Sequence, residues 1–116
     1  MQAGPSAGAA PSRRVTLLHL ALLASVTVLA YLPSLGVPFY LDDFSSIRDN
    51  PLIFDWRGFA ALRAYAPMRW ITYLTFLFNY HTDHFDPFGY HVVNLTIHVL
   101  AGFAVYALAL ALLGTP

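Results

Sequence analysis

The 116 residues hold at most one domain, and 58% of them are hydrophobic while only 10% are charged. A soluble domain carries about 25% charged residues, so the composition indicates a membrane protein. The formal net charge is zero, which provides no long-range attraction for nucleic acid, and the sequence has no nucleic-acid-binding motif. The absence of cysteine excludes disulfides, thiolate catalysis and cysteine metal ligands.

Two uncharged stretches are long enough to cross a bilayer, which requires roughly 20 apolar residues. We expect transmembrane helices over residues 15–36 and 89–113, preceded by a flexible cytoplasmic tail of residues 1–14. Residues 37–88 then form a long external loop, and residues 114–116 form a cytoplasmic end. The predicted fold class is an all-α membrane protein with two transmembrane helices joined by a loop that contains short juxtamembrane helices.

The distribution of charge predicts the orientation in the membrane. Arg13 and Arg14 precede the first span, whereas all six aspartates lie in the loop. The positive-inside rule therefore places both termini in the cytoplasm and the loop in the periplasm, with a bacterial inner membrane as the expected location. An alternative is that "SRRVTLLHL" belongs to a twin-arginine export signal. The apolar run exceeds a usual signal core, which favours an uncleaved anchor.

The loop contains two segments with helical character. Asp55 is placed to cap a short helix over residues 56–65. A second helix is expected over residues 69–80, where the polar residues fall on one narrow stripe and the large apolar residues on the opposite side. Such a helix is typical of the membrane interface. The stripe consists of Arg69, Thr72, Thr75 and Asn79, and the apolar side of Trp70, Tyr73, Leu74 and Leu77.

Two adjacent carboxylates, Asp42 and Asp43, follow the first span in "FYLDDFSSIRDNP". Neighbouring carboxylates repel each other, so one of them is suited to act as a general base, or the pair to hold a divalent cation. The simpler interpretation is that they begin a solvated loop. Beyond a divalent cation at this pair, the sequence predicts no resident cofactor of the chain itself.

Three polar residues lie on one face of the second span, namely His91, Asn94 and His98. Polar groups in a membrane helix face protein or water rather than lipid. This intramembrane polar face is suited to hydrogen bonding between helices, to binding the polar head of a ligand, or to ligating a metal of a partner's pigment. His19 and His98 differ in depth by on the order of 10 Å, which argues against a haem held by both.

The segments "FYLDDFSSIRDNPLI", "RWITYLTFLFNY" and "DPFGYHVVNLTIHVL" together resemble the N-terminal part of GT-C type polytopic membrane glycosyltransferases. The most similar group is the tetratricopeptide-repeat-associated, protein O-mannosyltransferase-like kind, which uses a dolichyl- or polyprenyl-phosphate sugar. The resemblance implies catalytic roles for Asp42 or Asp43, a substrate- or phosphate-binding role for Arg69, and a scaffold role for the intramembrane polar face. Trp70 stands where the family pattern has proline.

Two functions remain open at this point. The chain is either a non-catalytic accessory subunit of a larger membrane protein complex, derived from a glycosyltransferase N-terminus, or the N-terminal portion of an active glycosyltransferase. Two helices cannot enclose the cavity of a GT-C enzyme, which favours the first, while retention of the motifs favours the second. The expected partners are membrane lipid and other integral membrane subunits, with a polyprenyl-phosphate sugar as donor in the second case.

Overall fold

The computed structural model describes residues 11–113, and these residues form helices and turns without any β-strand. The predicted all-α fold class is therefore confirmed. Most of the predicted tail, residues 1–10, and the C-terminal residues 114–116 lie outside the described residues. The α-helices are α1 (Arg13–Tyr31), α2 (Phe59–Tyr65), α3 (Trp70–Asp83) and α4 (Pro87–Leu113).

Shorter helical turns connect these helices. Turns of the 3-10 type occupy Leu32–Gly36, Pro51–Ile53 and Trp56–Gly58, and a π-helical turn occupies Phe44–Arg48. The predicted segment 56–65 is thus a 3-10 turn followed by α2. Asp55 caps it as expected, because its Oδ1 accepts a hydrogen bond of 2.9 Å from the Arg57 backbone N–H.

Two segments are long and apolar enough to cross a membrane, Arg13–Gly36 with 24 residues and Pro87–Leu113 with 27. None of the most apolar part of either segment is buried inside the protein. A core helix of a soluble protein would be buried, whereas a helix that is apolar on all sides and unburied is suited to lipid. At the start of α4, Pro87 occupies the first helical turn and Asp86 Oδ1 accepts from the Phe88 N–H at 3.0 Å.

The chain divides into two compact units. We call Pro33–Asn94 the loop unit, and the described residues 11–32 and 95–113 together the span unit. The span unit thus contains α1 and most of α4, and the loop unit contains the shorter helices and the first turns of α4.

In the span unit, α1 and α4 run antiparallel and contact each other at three levels, of which the first is the ring contact of Tyr31 with His98. His19 Nδ1 lies 2.8 Å from the Tyr106 hydroxyl oxygen. Leu23 packs against Gly102, where a Cβ atom would lie only 2.8 Å from the Leu23 Cδ2 atom. Glycine at this position therefore leaves room for the Leu23 side chain between the two helices.

The loop unit contains all of the buried hydrophobic residues described, which form one core. Asn50 is also buried and closes the turn before Pro51, since its Oδ1 accepts from the Leu52 N–H and its Nδ2 donates to the Ser46 carbonyl. The core residues are Ile47, Ile53, Leu62, Tyr73, Phe76, Leu77 and Tyr90.

Helix α3 packs into this core with a face that the sequence pattern did not identify. Tyr73 and Leu77 are buried, as is Asn79 from the polar stripe, whereas Trp70 remains exposed. The buried face therefore lies across the boundary between the predicted polar and apolar sides. Helical spacing shows which residues share a side, but the loop core determines which side is covered.

Candidate functional site

The paired aspartates lie in a short, unusual stretch of backbone at the start of the loop unit. Leu41, immediately before them, has a φ of 47°, in a region that costs an ordinary L-residue about 1–2 kcal/mol. The π-helical turn Phe44–Arg48 follows directly, and Ile47 within it is only 2% exposed. Strained residues and π-helical turns both concentrate at functional sites. The core contact of Ile47 holds this stretch in place.

The two carboxylates have different surroundings. Asp43 is partly buried, and its Oδ2 accepts a hydrogen bond of 3.0 Å from the Tyr40 backbone N–H. Asp42 is exposed, and among the described residues its carboxylate has no hydrogen-bond partner; only its carbonyl oxygen accepts, from Ser45 Oγ at 3.1 Å. Asp43 therefore stabilises the turn, and the carboxylate of Asp42 is available for chemistry.

A metal ion at this site would have few protein ligands among the described residues. The described part of the chain contains no group of three or more His, Asp or Glu side chains that could hold a metal ion. A cation at the pair would have two carboxylates, of which Asp43 is already engaged by the Tyr40 N–H. Protein calcium sites use six to eight oxygen ligands as a rule, so the two carboxylates alone would not complete a calcium site, whereas Mg²⁺ is held by one or two carboxylates together with substrate phosphates and water.

Arg69 lies in the turn between α2 and α3, where it is exposed. Its carbonyl accepts from the Tyr73 N–H at 3.1 Å, and its Cζ atom lies 5.9 Å from the centroid of the Tyr73 ring. These contacts orient the guanidinium along the first turn of α3. Through Tyr73, these contacts connect Arg69 with the core of the loop unit. They do not involve Asp42 or Asp43.

The predicted intramembrane polar residues make separate contacts. In the loop unit, His91 Nε2 lies 2.8 Å from the Val37 carbonyl oxygen, which requires the proton to be on Nε2. Asn94 is exposed. In the span unit, the His98 ring meets the Tyr31 ring in an edge-to-face contact with centroids 5.1 Å apart. His91 thus ties the start of α4 to the segment before the aspartates.

A cavity of about 340 Å³ is lined by residues that flank the aspartates in sequence, and it was not expected from the sequence. Its only charged lining residue is Arg48, whose Cζ atom lies 5.6 Å from the centroid of the Phe44 ring. The spacing of Phe44 and Arg48, four residues apart in a helical segment, is a signal that could have identified this pair. The other lining residues are Pro38, Phe39, Phe85 and Pro87.

The chain is similar to two animal proteins. It is 31% identical over 103 residues, or 78% of its length, to protein O-mannosyl-transferase F38B6.6 of Caenorhabditis elegans. It is 33% identical over 105 residues, or 79% of its length, to protein O-mannosyl-transferase Tmtc3 of Drosophila melanogaster. The chain spans 15% and 11% of the length of these relatives. No protein-family profile matches the chain, and no solved structure matches it.

Proposed function

We propose, from the relationship of this chain to protein O-mannosyl-transferases, that it is a segment of a membrane glycosyltransferase that presents Asp42 to an acceptor. This relationship confirms the resemblance found in the sequence. The observation that supports the role of Asp42 is the difference within the aspartate pair. Asp43 is used in folding the turn, while the carboxylate of Asp42 is exposed beside a strained residue.

The proposed reaction is transfer of mannose from a polyprenyl-phosphate donor to a hydroxyl group of a protein. The acceptor oxygen attacks the anomeric carbon while its proton passes to the Asp42 carboxylate, which acts as general base. The bond between the anomeric carbon and the phosphate oxygen breaks, and its electron pair remains on the phosphate. The products are the mannosylated protein and a polyprenyl monophosphate.

The proposed orientation has both termini in the cytoplasm and the loop unit on the external side of the membrane. Arg13 and Arg14 before α1, and the aspartates of the loop unit, support it. Because the chain has no cysteine, a single cysteine at Met68, which is 96% exposed, provides a specific probe. An impermeant maleimide should label it from outside only, and labelling from the cytoplasmic side alone would refute this topology.

The compartment is part of the same proposal. A bacterial inner membrane remains our prediction, and the two relatives named above are animal proteins. Fractionation of the cells that produce the protein, followed by detection in isolated membranes, would decide between a bacterial inner membrane and an internal eukaryotic membrane.

Replacement of Asp42 by Asn tests the catalytic role. The change removes the base but retains the size of the side chain, so we expect transfer of labelled mannose by membranes to fall about 100-fold or more. Asp43→Asn is the matched control, because the amide oxygen can still accept from the Tyr40 N–H. This variant should keep most of the activity. Equal losses in both variants would show that the division of roles within the pair is incorrect.

The second candidate function is a non-catalytic subunit, and one feature of the span unit favours it. A groove of about 540 Å³ is lined by apolar residues together with Thr27, His98 and Tyr106. Polar side chains within a membrane helix are found against protein or water, so this groove suits a neighbouring membrane helix. If Asp42→Asn leaves transfer unchanged while the protein purifies with other membrane subunits in mild detergent, the accessory role is the better description.

A further inference from the structure

We infer that the exposed surface of the turn between α2 and α3 docks onto a membrane surface that contains anionic lipids. We call this surface the turn patch. It combines apolar and basic side chains, all of them exposed, namely Tyr65, Met68, Ile71, Arg63 and Arg69. The inference rests on the structure of the loop unit and does not depend on the proposed catalytic function.

The apolar side chains of the turn patch are unusually open to the surroundings. Met68 is 96% exposed, Tyr65 66% and Ile71 61%. The patch is also continuous, because Tyr65 meets the Tyr73 ring edge to face at 6.0 Å and Arg69 approaches the same ring. A cluster of exposed apolar residues rimmed by polar ones marks a surface that contacts a membrane or another protein.

The two arginines of the turn patch are held by aromatic rings and have no acidic partner. Arg63 Cζ lies 5.8 Å from the centroid of the Trp70 ring. Arg69 Cζ lies 5.9 Å from the centroid of the Tyr73 ring. Neither guanidinium forms an ion pair with a described carboxylate, and residues 56–82 contain no acidic residue. The N–H donors of both arginines are therefore available to an anionic group from outside the chain.

A lipid surface fits this combination better than a protein partner. The loop unit extends from Pro33 to Asn94, and the chain continues at both of its ends into the segments that are long and apolar enough to cross a membrane. This double attachment gives the lipid headgroups a high effective concentration near the turn patch. Surfaces that lie on membranes combine apolar and aromatic side chains with basic residues, which attract anionic headgroups.

The turn patch is not the apolar side that helical spacing predicts for α3. Tyr73 and Leu77 of that side are buried in the loop core, so they are not available to lipid. The exposed apolar surface lies at the turn instead, where Met68 precedes α3 and Ile71 follows its first residue. Because arginines keep their charged ends in water, the patch would enter only the boundary between headgroups and hydrocarbon.

The test measures the surroundings of position 68 in membranes of two compositions. The full chain with Met68→Cys carries the environment-sensitive fluorophore NBD on its single thiol. It is reconstituted into vesicles of phosphatidylcholine, alone or mixed with phosphatidylglycerol. In the mixed vesicles, we expect NBD emission to shift to shorter wavelength and to be quenched by lipids with a nitroxide near the headgroup. Salt should reduce both effects, because it screens the attraction between arginine and the headgroups.

Replacement of the arginines tests the role of their charge. Arg63→Gln and Arg69→Gln should each lower the ratio of docked to undocked loop unit about fivefold in the mixed vesicles. Arg63→Lys and Arg69→Lys keep the charge and should keep most of the docking. Arg48→Gln is the matched control, because Arg48 is an exposed arginine of the same loop unit that lies in the separate turn Phe44–Arg48. This variant should leave the ratio unchanged.

Three results would overturn the inference. Emission without a shift or quenching in either kind of vesicle would show that the turn patch stays in water. Equal quenching in both kinds of vesicle, or equal losses in the lysine and glutamine variants, would show that anionic charge is not recognised. A shift that grows with protein concentration without quenching by lipid would show that a protein covers the patch. None of these measurements uses a sugar donor or acceptor, so they are independent of the outcome of Asp42→Asn.

Discussion

The loop unit and the span unit are stabilised in different ways. The loop unit has a core of seven buried hydrophobic residues, several of them in ring-to-ring contact. In the span unit, α1 has no buried residue at all, and the described contacts between α1 and α4 are a few specific pairs. The first unit resembles a small soluble domain, in which burial of apolar surface drives folding. The second depends on lipid and on close packing of helices.

This difference also determines where chemistry can be positioned. The core of the loop unit holds the π-helical turn through Ile47 and the aromatic cavity through Tyr90. The catalytic candidate Asp42 is therefore an exposed residue on a rigid support, an arrangement that favours preorganised sites. The span unit provides anchoring, and its polar residues serve contacts between helices.

The strongest test of this comparison is to create a cavity in the loop core. Leu77 is fully buried on α3, and Leu77→Ala should lower the free energy of unfolding of the loop unit by about 2–5 kcal/mol. Both tryptophans of the chain, Trp56 and Trp70, lie in this unit, so tryptophan fluorescence during urea unfolding in detergent reports it selectively.

The neighbouring residue provides the control for this experiment. Phe78 is 52% exposed on the same helix, and Phe78→Ala should change the free energy of unfolding by about 0.5 kcal/mol or less. If Phe78→Ala lowered the free energy of unfolding as much as Leu77→Ala, α3 would be stabilised by contact with lipid or a partner rather than by the loop core.

The sequence predicted the architecture better than the details of the site. Hydropathy and length identify both long helices, because a span is a property of a continuous segment. The cap by Asp55 is also local, and was predicted correctly. The burial of Asn79 and the contact of His91 with the Val37 carbonyl depend on segments distant in the chain, which periodicity cannot reveal.

The aspartate pair illustrates the same limit at the candidate site. Spacing treats Asp42 and Asp43 as equivalent, and the family resemblance implies a role for either one. Their difference arises from a turn in which Tyr40 donates to Asp43 while Leu41 takes a positive φ. Arg48 was missed because its significance comes from Phe85, which is distant in sequence and lines the same cavity.

A smaller effect is expected from crowding the contact between α1 and α4. Gly102→Leu would place a large side chain where even a Cβ atom lies 2.8 Å from Leu23. We expect the pairing of the two helices to weaken by about 1–3 kcal/mol. Because the chain has no cysteine, dyes on cysteines introduced at Val15 and Leu108 can report the pairing by energy transfer during an SDS titration. Ala107→Leu is the control, because Ala107 is exposed. This variant should leave unchanged the SDS concentration at which half of the pairing is lost.

The smallest effect is expected for the polar contact in the span unit. Tyr106→Phe removes the hydroxyl that lies 2.8 Å from His19 Nδ1 but keeps the ring, whose centroid is 5.7 Å from that of His19. Hydrogen bonds between membrane helices contribute about 0.6 kcal/mol on average. We therefore expect the free energy of pairing between α1 and α4 to fall by that amount in the same SDS titration. His19→Phe combined with Tyr106→Phe should cost no more than either change alone, because each already breaks the bond. Fully additive losses would show that the two side chains stabilise the helices independently, and that the span unit is held by packing at Gly102 rather than by this hydrogen bond.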